Sequence, residues 1–65
     1  MKVIKGAKIL SDLHKNGWYI VHKKGSHRKF KHPTIKGSVT VNGSPSTDFC
    51  GDLLKSIENQ SGLTF

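Results

Sequence analysis

Trp18-Tyr19-Ile20-Val21-His22-Lys23-Lys24-Gly25-Ser26-His27-Arg28-Lys29-Phe30-Lys31-His32-Pro33 decides how this chain is read. Its first part alternates Trp18, Ile20 and His22 with Tyr19, Val21 and Lys23, in aromatic and β-branched residues that favour a strand. Lys24-Gly25 reads as a turn. From Ser26 to Lys31 a second strand sets Ser26, Arg28 and Phe30 against His27, Lys29 and Lys31. His32-Pro33 ends it, because proline has no N–H for the ladder.

Working outward, Lys36-Gly37 makes another turn and Ser38-Val39-Thr40-Val41 a third short strand. Before the hairpin, about Gly6 to Asn16 reads as a helix with Ile9, Leu10 and Leu13 on one stripe, Ala7 at its edge and Gly17 just past its end. Lys5-Gly6 is a weak cap. After the sheet, Asn42 to Thr47 is a polar loop. Asp48 is the expected N-cap of a second helix reaching roughly Gln60, with Phe49, Leu53, Leu54 and Ile57 as its apolar face and Gly62-Leu63 as its close. The expected fold class is α+β, in the order α-β-β-β-α, as one domain over residues 1–65.

Two helices with single apolar stripes need one shared face of a three-stranded antiparallel sheet. Trp18, Ile20, Phe30, Val39 and Val41 can supply that face. By strict alternation His27, Lys29 and Lys31 then point to the opposite face, which no remaining element can cover. Tyr19 is expected there too, where it can stack a base.

Charge is concentrated on the same hairpin. The formal net charge is +7, and the four carboxylates are Asp12, Asp48, Asp52 and Glu58. None falls between Leu13 and Thr47, a stretch that holds Lys15, Lys23, Lys24, Arg28, Lys29, Lys31 and Lys36. A surface of that sign selects polyanions such as nucleic acid. A membrane is disfavoured as partner, since the basic segment has no helical amphipathicity and no apolar run approaches spanning length. At 65 residues, of which 34% are hydrophobic, the core is thin and any site is an open surface. Met1 to Leu10 has lysines but no apolar h-region, so no signal peptide is expected. A lone Cys50 fits a reducing compartment, and a cytoplasmic protein is the expectation.

His27 is the candidate catalytic residue. Histidine exchanges protons near neutral pH, and in RNA cleavage a base takes the 2′-hydroxyl proton so that the oxygen attacks the adjacent phosphorus. Lys23, Lys24, Arg28, Lys29 and Lys31 are the candidate RNA-binding cations, holding phosphate and its developing charge. Gly25 permits a left-handed turn that lets phosphate approach the backbone, and Ser26 can orient His27 or an RNA oxygen. His22 and His32 flank the site as possible acids for the leaving 5′-oxygen. His22 is expected on the core side as a structural histidine, and His32 exposed, contacting phosphate or idle. His14 is expected at the helix boundary. No metal or cofactor is expected, because the histidines have no cysteine or carboxylate cluster at ligand spacing.

Asn16-Gly17-Trp18, Lys24-Gly25-Ser26-His27, Phe30-Lys31-His32-Pro33 and Val39-Thr40-Val41, followed by Leu54-Lys55-Ser56-Ile57 and Gly62-Leu63, give the chain a resemblance to the HicA toxins of prokaryotic type II toxin–antitoxin modules. The resemblance covers nearly the whole chain. It implies a double-stranded-RNA-binding-domain-like fold, mRNA interferase activity that arrests translation, and neutralisation by a HicB-type antitoxin. It places the family's catalytic histidine at His27, with Gly25 and Ser26 completing the motif. The chain departs from the family pattern at His22, at Cys50 and in the Asn42–Thr47 loop. Two other classes compete: a non-catalytic double-stranded-RNA-binding module, which needs no indispensable histidine, and a basic DNA-associated protein, for which no recognition helix is evident.

Overall fold

The computed structural model describes residues 2–65. In chain order these form β1 (Val3–Lys5), α1 (Gly6–Lys15), β2 (Tyr19–Lys24), β3 (His27–Lys31), β4 (Ser38–Asn42), β5 (Asp48–Cys50) and α2 (Gly51–Ser61). Strands β2, β3 and β4 make the expected three-stranded antiparallel sheet, with β3 in the centre. Gly25 sits at φ +59° and Ser26 keeps a negative φ, the sign pattern of a type II′ turn, whose twist suits a two-residue hairpin.

One sheet face carries the core. Phe30 and Val39 are direct cross-strand partners, and Val41 faces Arg28 two pairs along, on the same face. Over this face lie Ile9 and Leu13 of α1 and Leu54 and Ile57 of α2, joined by Trp18, Phe49 and Phe65. Each such side chain removed from water contributes about 1.5–3 kcal/mol, which a chain this short needs to offset its ordering entropy. Among the described residues no helix is long and apolar enough to cross a membrane.

Several sequence expectations are corrected. Two short strands lie outside the expected α-β-β-β-α order: β1 pairs antiparallel with β5, setting Ile4 against Phe49, and Lys5 meets Asp48 in a 2.7 Å ion pair. Asp48 is therefore a strand residue. Cys50 is extended, and α2 begins only at Gly51, whose positive φ turns the chain out of the strand. Phe49 is buried from β5 rather than from the helix, and Leu53, assigned to the apolar face, is exposed.

The weak start of α1 is made good by tertiary contacts. Lys5 offers no side-chain cap; instead the Gly6 N–H donates to the Thr47 carbonyl at 2.8 Å and the Ala7 N–H to the Pro45 carbonyl at 2.9 Å. The polar loop thus satisfies helix donors that would otherwise be orphaned. A side chain at residue 6 has no room, since a Cβ there would lie 2.2 Å from the Ser44 carbonyl oxygen. The close of α2 follows the expected pattern, with Gly62 left-handed and its N–H donating to the Glu58 carbonyl at 2.8 Å.

Candidate functional site

Strand β2 is exposed along its whole length, including Ile20 at 48%. Ile20 borders an open hollow that it shares with Leu10 and His14 of α1, and it does not join the core. The strand is also irregular: Ile20 pairs with Phe30 and His22 with Lys29, leaving Val21 as an extra residue in a β-bulge. A bulge reverses the side-chain alternation beyond it.

That reversal changes the site. Direct cross-strand partners share a face, and Lys29 and His27 pair with His22 and Lys24. His22 therefore stands on the open face, not on the core side where unbroken alternation predicts it. His22, Lys24, Gly25, Ser26 and His27 together line one open surface hollow at the hairpin end of the sheet. Lys29 and Lys31 continue the face along β3, with Tyr19 opposite Lys31 and Thr40 opposite Lys29. The one sequence hint of the bulge is Trp18-Tyr19-Ile20-Val21, four apolar residues in a row where alternation allows every second one.

Lys23 and Arg28 are not brought to this face. They pair with each other and share the side that carries Phe30. Arg28 is half-buried and its Nη1 donates to the Gly43 carbonyl at 2.6 Å, while the Gly43 N–H donates to the Ser26 carbonyl at 2.9 Å. Gly43 is thus held on both sides, which ties the end of β4 to the turn that bears the motif. Arg28 acts here as a brace for the hairpin.

His32 is neither exposed nor idle. Its Nε2 donates to the Asn16 carbonyl at 2.8 Å, and its Nδ1 accepts the N–H groups of Thr34 at 3.1 Å and Ile35 at 3.2 Å. These partners select the tautomer with the proton on Nε2. The ring also meets Trp18 edge-on, with centroids 5.2 Å apart. The residue before Pro33 therefore clamps the exit of β3 to the end of α1. His14 is exposed on α1 and lines a separate apolar hollow on the helix side with Leu10, Trp18 and Phe30. Among the described residues no group of three histidines, cysteines or carboxylates could hold a metal ion.

Fold and site together define a small α+β domain that presents a basic, histidine-bearing sheet face to solvent. A family model described as HicA toxin of bacterial toxin-antitoxin matches residues 6–63. The chain belongs to the HicA toxin family. No curated protein matches it.

Proposed function

We propose that this chain is the endoribonuclease of its toxin–antitoxin pair, cleaving mRNA and so arresting translation in the cytoplasm. His27 takes the proton from a ribose 2′-hydroxyl. Lys24, Lys29 and Lys31, on the same face, hold the phosphate and its developing charge. The proton transfers are assigned to imidazole, so the reaction is metal-independent. The observation that carries the reading is His27 in the open hollow beside Lys24 and in line with Lys29, in a chain of a toxin family. Openness suits a polymer: an RNA strand can lie across a sheet face that a small enclosed pocket would exclude.

The inhibitor in this reading is a HicB-type antitoxin that covers the open sheet face. A toxin of net charge +7 attracts an acidic partner surface, and covering His27 blocks RNA at once. The test is incubation of the purified protein with defined single-stranded RNA in excess EDTA, with His27→Ala beside it. Cleavage by the wild type, lost in the variant while RNA binding persists, supports the reading. Tight binding without cleavage by either protein favours the non-catalytic RNA-binding module. Intact cleavage by a saturated toxin–antitoxin complex would count against inhibition through this face.

A further inference from the structure

The bulge at Val21 brings four side chains into an arrangement with its own chemistry. On the open face, His22 and Lys24 lie two residues apart on β2, and His27 and Lys29 lie two apart on β3. The register sets His22 opposite Lys29 and Lys24 opposite His27, so the two histidines occupy one diagonal of a square and the two lysines the other. Direct partners of this kind are about 5 Å apart at Cβ, and diagonal ones about 7–8 Å. Both imidazoles line the same hollow. The hydrogen bonds that occupy both nitrogens of His32 have no counterpart at His22 or His27 among the described residues.

We propose that His22 is a second catalytic residue of this site, the general acid that protonates the leaving 5′-oxygen. The assignment rests on the ribonuclease reading above and deepens it. Transesterification of RNA needs two proton transfers on opposite sides of one phosphorus atom. A phosphate seated in the square meets an imidazole on each side along one diagonal and an ammonium on each side along the other. His27 accepts the 2′-hydroxyl proton as O2′ bonds to phosphorus. The bond from phosphorus to O5′ breaks, and O5′ takes its proton from protonated His22. The products are a 2′,3′-cyclic phosphate on one fragment and a 5′-hydroxyl on the other, with His27 left protonated and His22 neutral. Exchange with water restores both. Lys24 and Lys29 neutralise the non-bridging oxygens throughout. His32, engaged through both nitrogens away from this hollow, is not available for the second transfer.

The test compares wild type, His22→Ala and His27→Ala on ordinary RNA and on the same RNA carrying sulfur in place of the 5′-bridging oxygen at the cleaved linkage. Thiolate leaves without needing a proton. Both side chains are exposed, and far-UV circular dichroism establishes that the variants stay folded. On ordinary RNA each variant should lose about 10²–10⁴-fold in rate, the range of one general acid or base. The sulfur substrate should restore His22→Ala towards the wild-type rate and leave His27→Ala impaired. Cleavage by His22→Ala at the wild-type rate on ordinary RNA overturns the inference and leaves the ribonuclease reading standing. Sulfur rescue of His27→Ala in place of His22→Ala overturns the assignment of the acid. Wild-type protein inert on both substrates overturns the ribonuclease reading itself, and this inference with it.

Discussion

Replacing His32 with alanine should cost stability rather than chemistry. The ring closes a bridge between the end of α1 and the segment after β3, giving one hydrogen bond to Asn16 and taking two from Thr34 and Ile35. Each such bond contributes about 1 kcal/mol net. The edge-on contact with Trp18 adds about 0.5–1.5 kcal/mol. Because this region is partly solvated, water will take up some of the freed groups, which brings the expected loss to about 2–3 kcal/mol. A domain of this length holds on the order of 3–10 kcal/mol in all, so the variant forfeits a large share. At about 4–8 °C per kcal/mol for small domains, the midpoint should fall by roughly 10–20 °C.

The assay is urea unfolding followed by Trp18 fluorescence and by circular dichroism, with RNA cleavage measured at a temperature where the variant remains folded. The expected pattern is a lower midpoint with unchanged slope, and a cleavage rate per folded molecule close to wild type. A change in stability below about 0.5 kcal/mol, the ordinary scatter of surface substitutions, would refute the clamp. So would a folded variant whose cleavage falls a hundredfold, since that loss would place His32 in the chemistry.

Other substitutions separate the two sheet faces. Lys29→Gln should weaken RNA binding and lower the slope of log affinity against log salt by about 0.7, the loss of one phosphate contact on a single strand. Arg28→Ala should leave that slope unchanged in a salt titration while lowering stability by about 1.5–3 kcal/mol, the worth of a charge-assisted hydrogen bond such as the one it makes to Gly43. Gly6→Ala should destabilise by about 1–3 kcal/mol through overpacking against Ser44, and amide exchange at Gly6 and Ala7 should speed up as the loop carbonyls move away. The Glu58 carboxyl is held below its ordinary value, first by the hydrogen bond from Lys2 and then by the Phe65 N–H. Its stabilising contribution is therefore complete above the ordinary glutamate value of about 4.3 and lost as pH falls through the lowered one; the Phe65 ring resonances should shift over that acid range, and Glu58→Gln should abolish the dependence.

The hairpin was legible because each strand carries its own local signals. Gly25 marks the turn, Pro33 marks the stop, and Phe30 among basic residues marks which side is buried. The alternation of His27, Lys29 and Lys31 against Arg28 and Phe30 sets Arg28 on the Phe30 side, yet its charge groups it with the candidate RNA-binding lysines, and only the contact with Gly43 separates the two roles. What escaped reading depends on non-local pairing. Val3–Lys5 and Asp48–Cys50 are too short to show a period, and each becomes a strand only because the other lies beside it. Phe49 reads as part of the second helix because it falls at helical spacing from Leu53, a residue that proves exposed. The phase of His22 was lost for a different reason: a bulge adds one residue, and with a period of two that moves every later side chain to the other face. Nothing in His22 itself records which face it takes.

The four side-chain carboxylates of the chain lie away from the open face, which bears on the two partners proposed for it. Asp12 is paired with Lys8, Asp48 with Lys5 and Glu58 with Lys2, while Asp52 sits in the first turn of α2, where negative charge is favoured by the helix dipole. No carboxylate is left for Lys24, Lys29 or Lys31. Their repulsion opposes the compact state, and only a ligand brought from outside can neutralise it. In the proposed reading, RNA phosphate and an acidic antitoxin surface relieve the same repulsion at the same place. That reading predicts that RNA and antitoxin compete for the face, and that salt weakens both associations together. Such a face does not need a buried lock to be switched off. On the proposed reading, competition for a single cationic square, set beside a core that faces the other way, would let inhibition act without disturbing the fold.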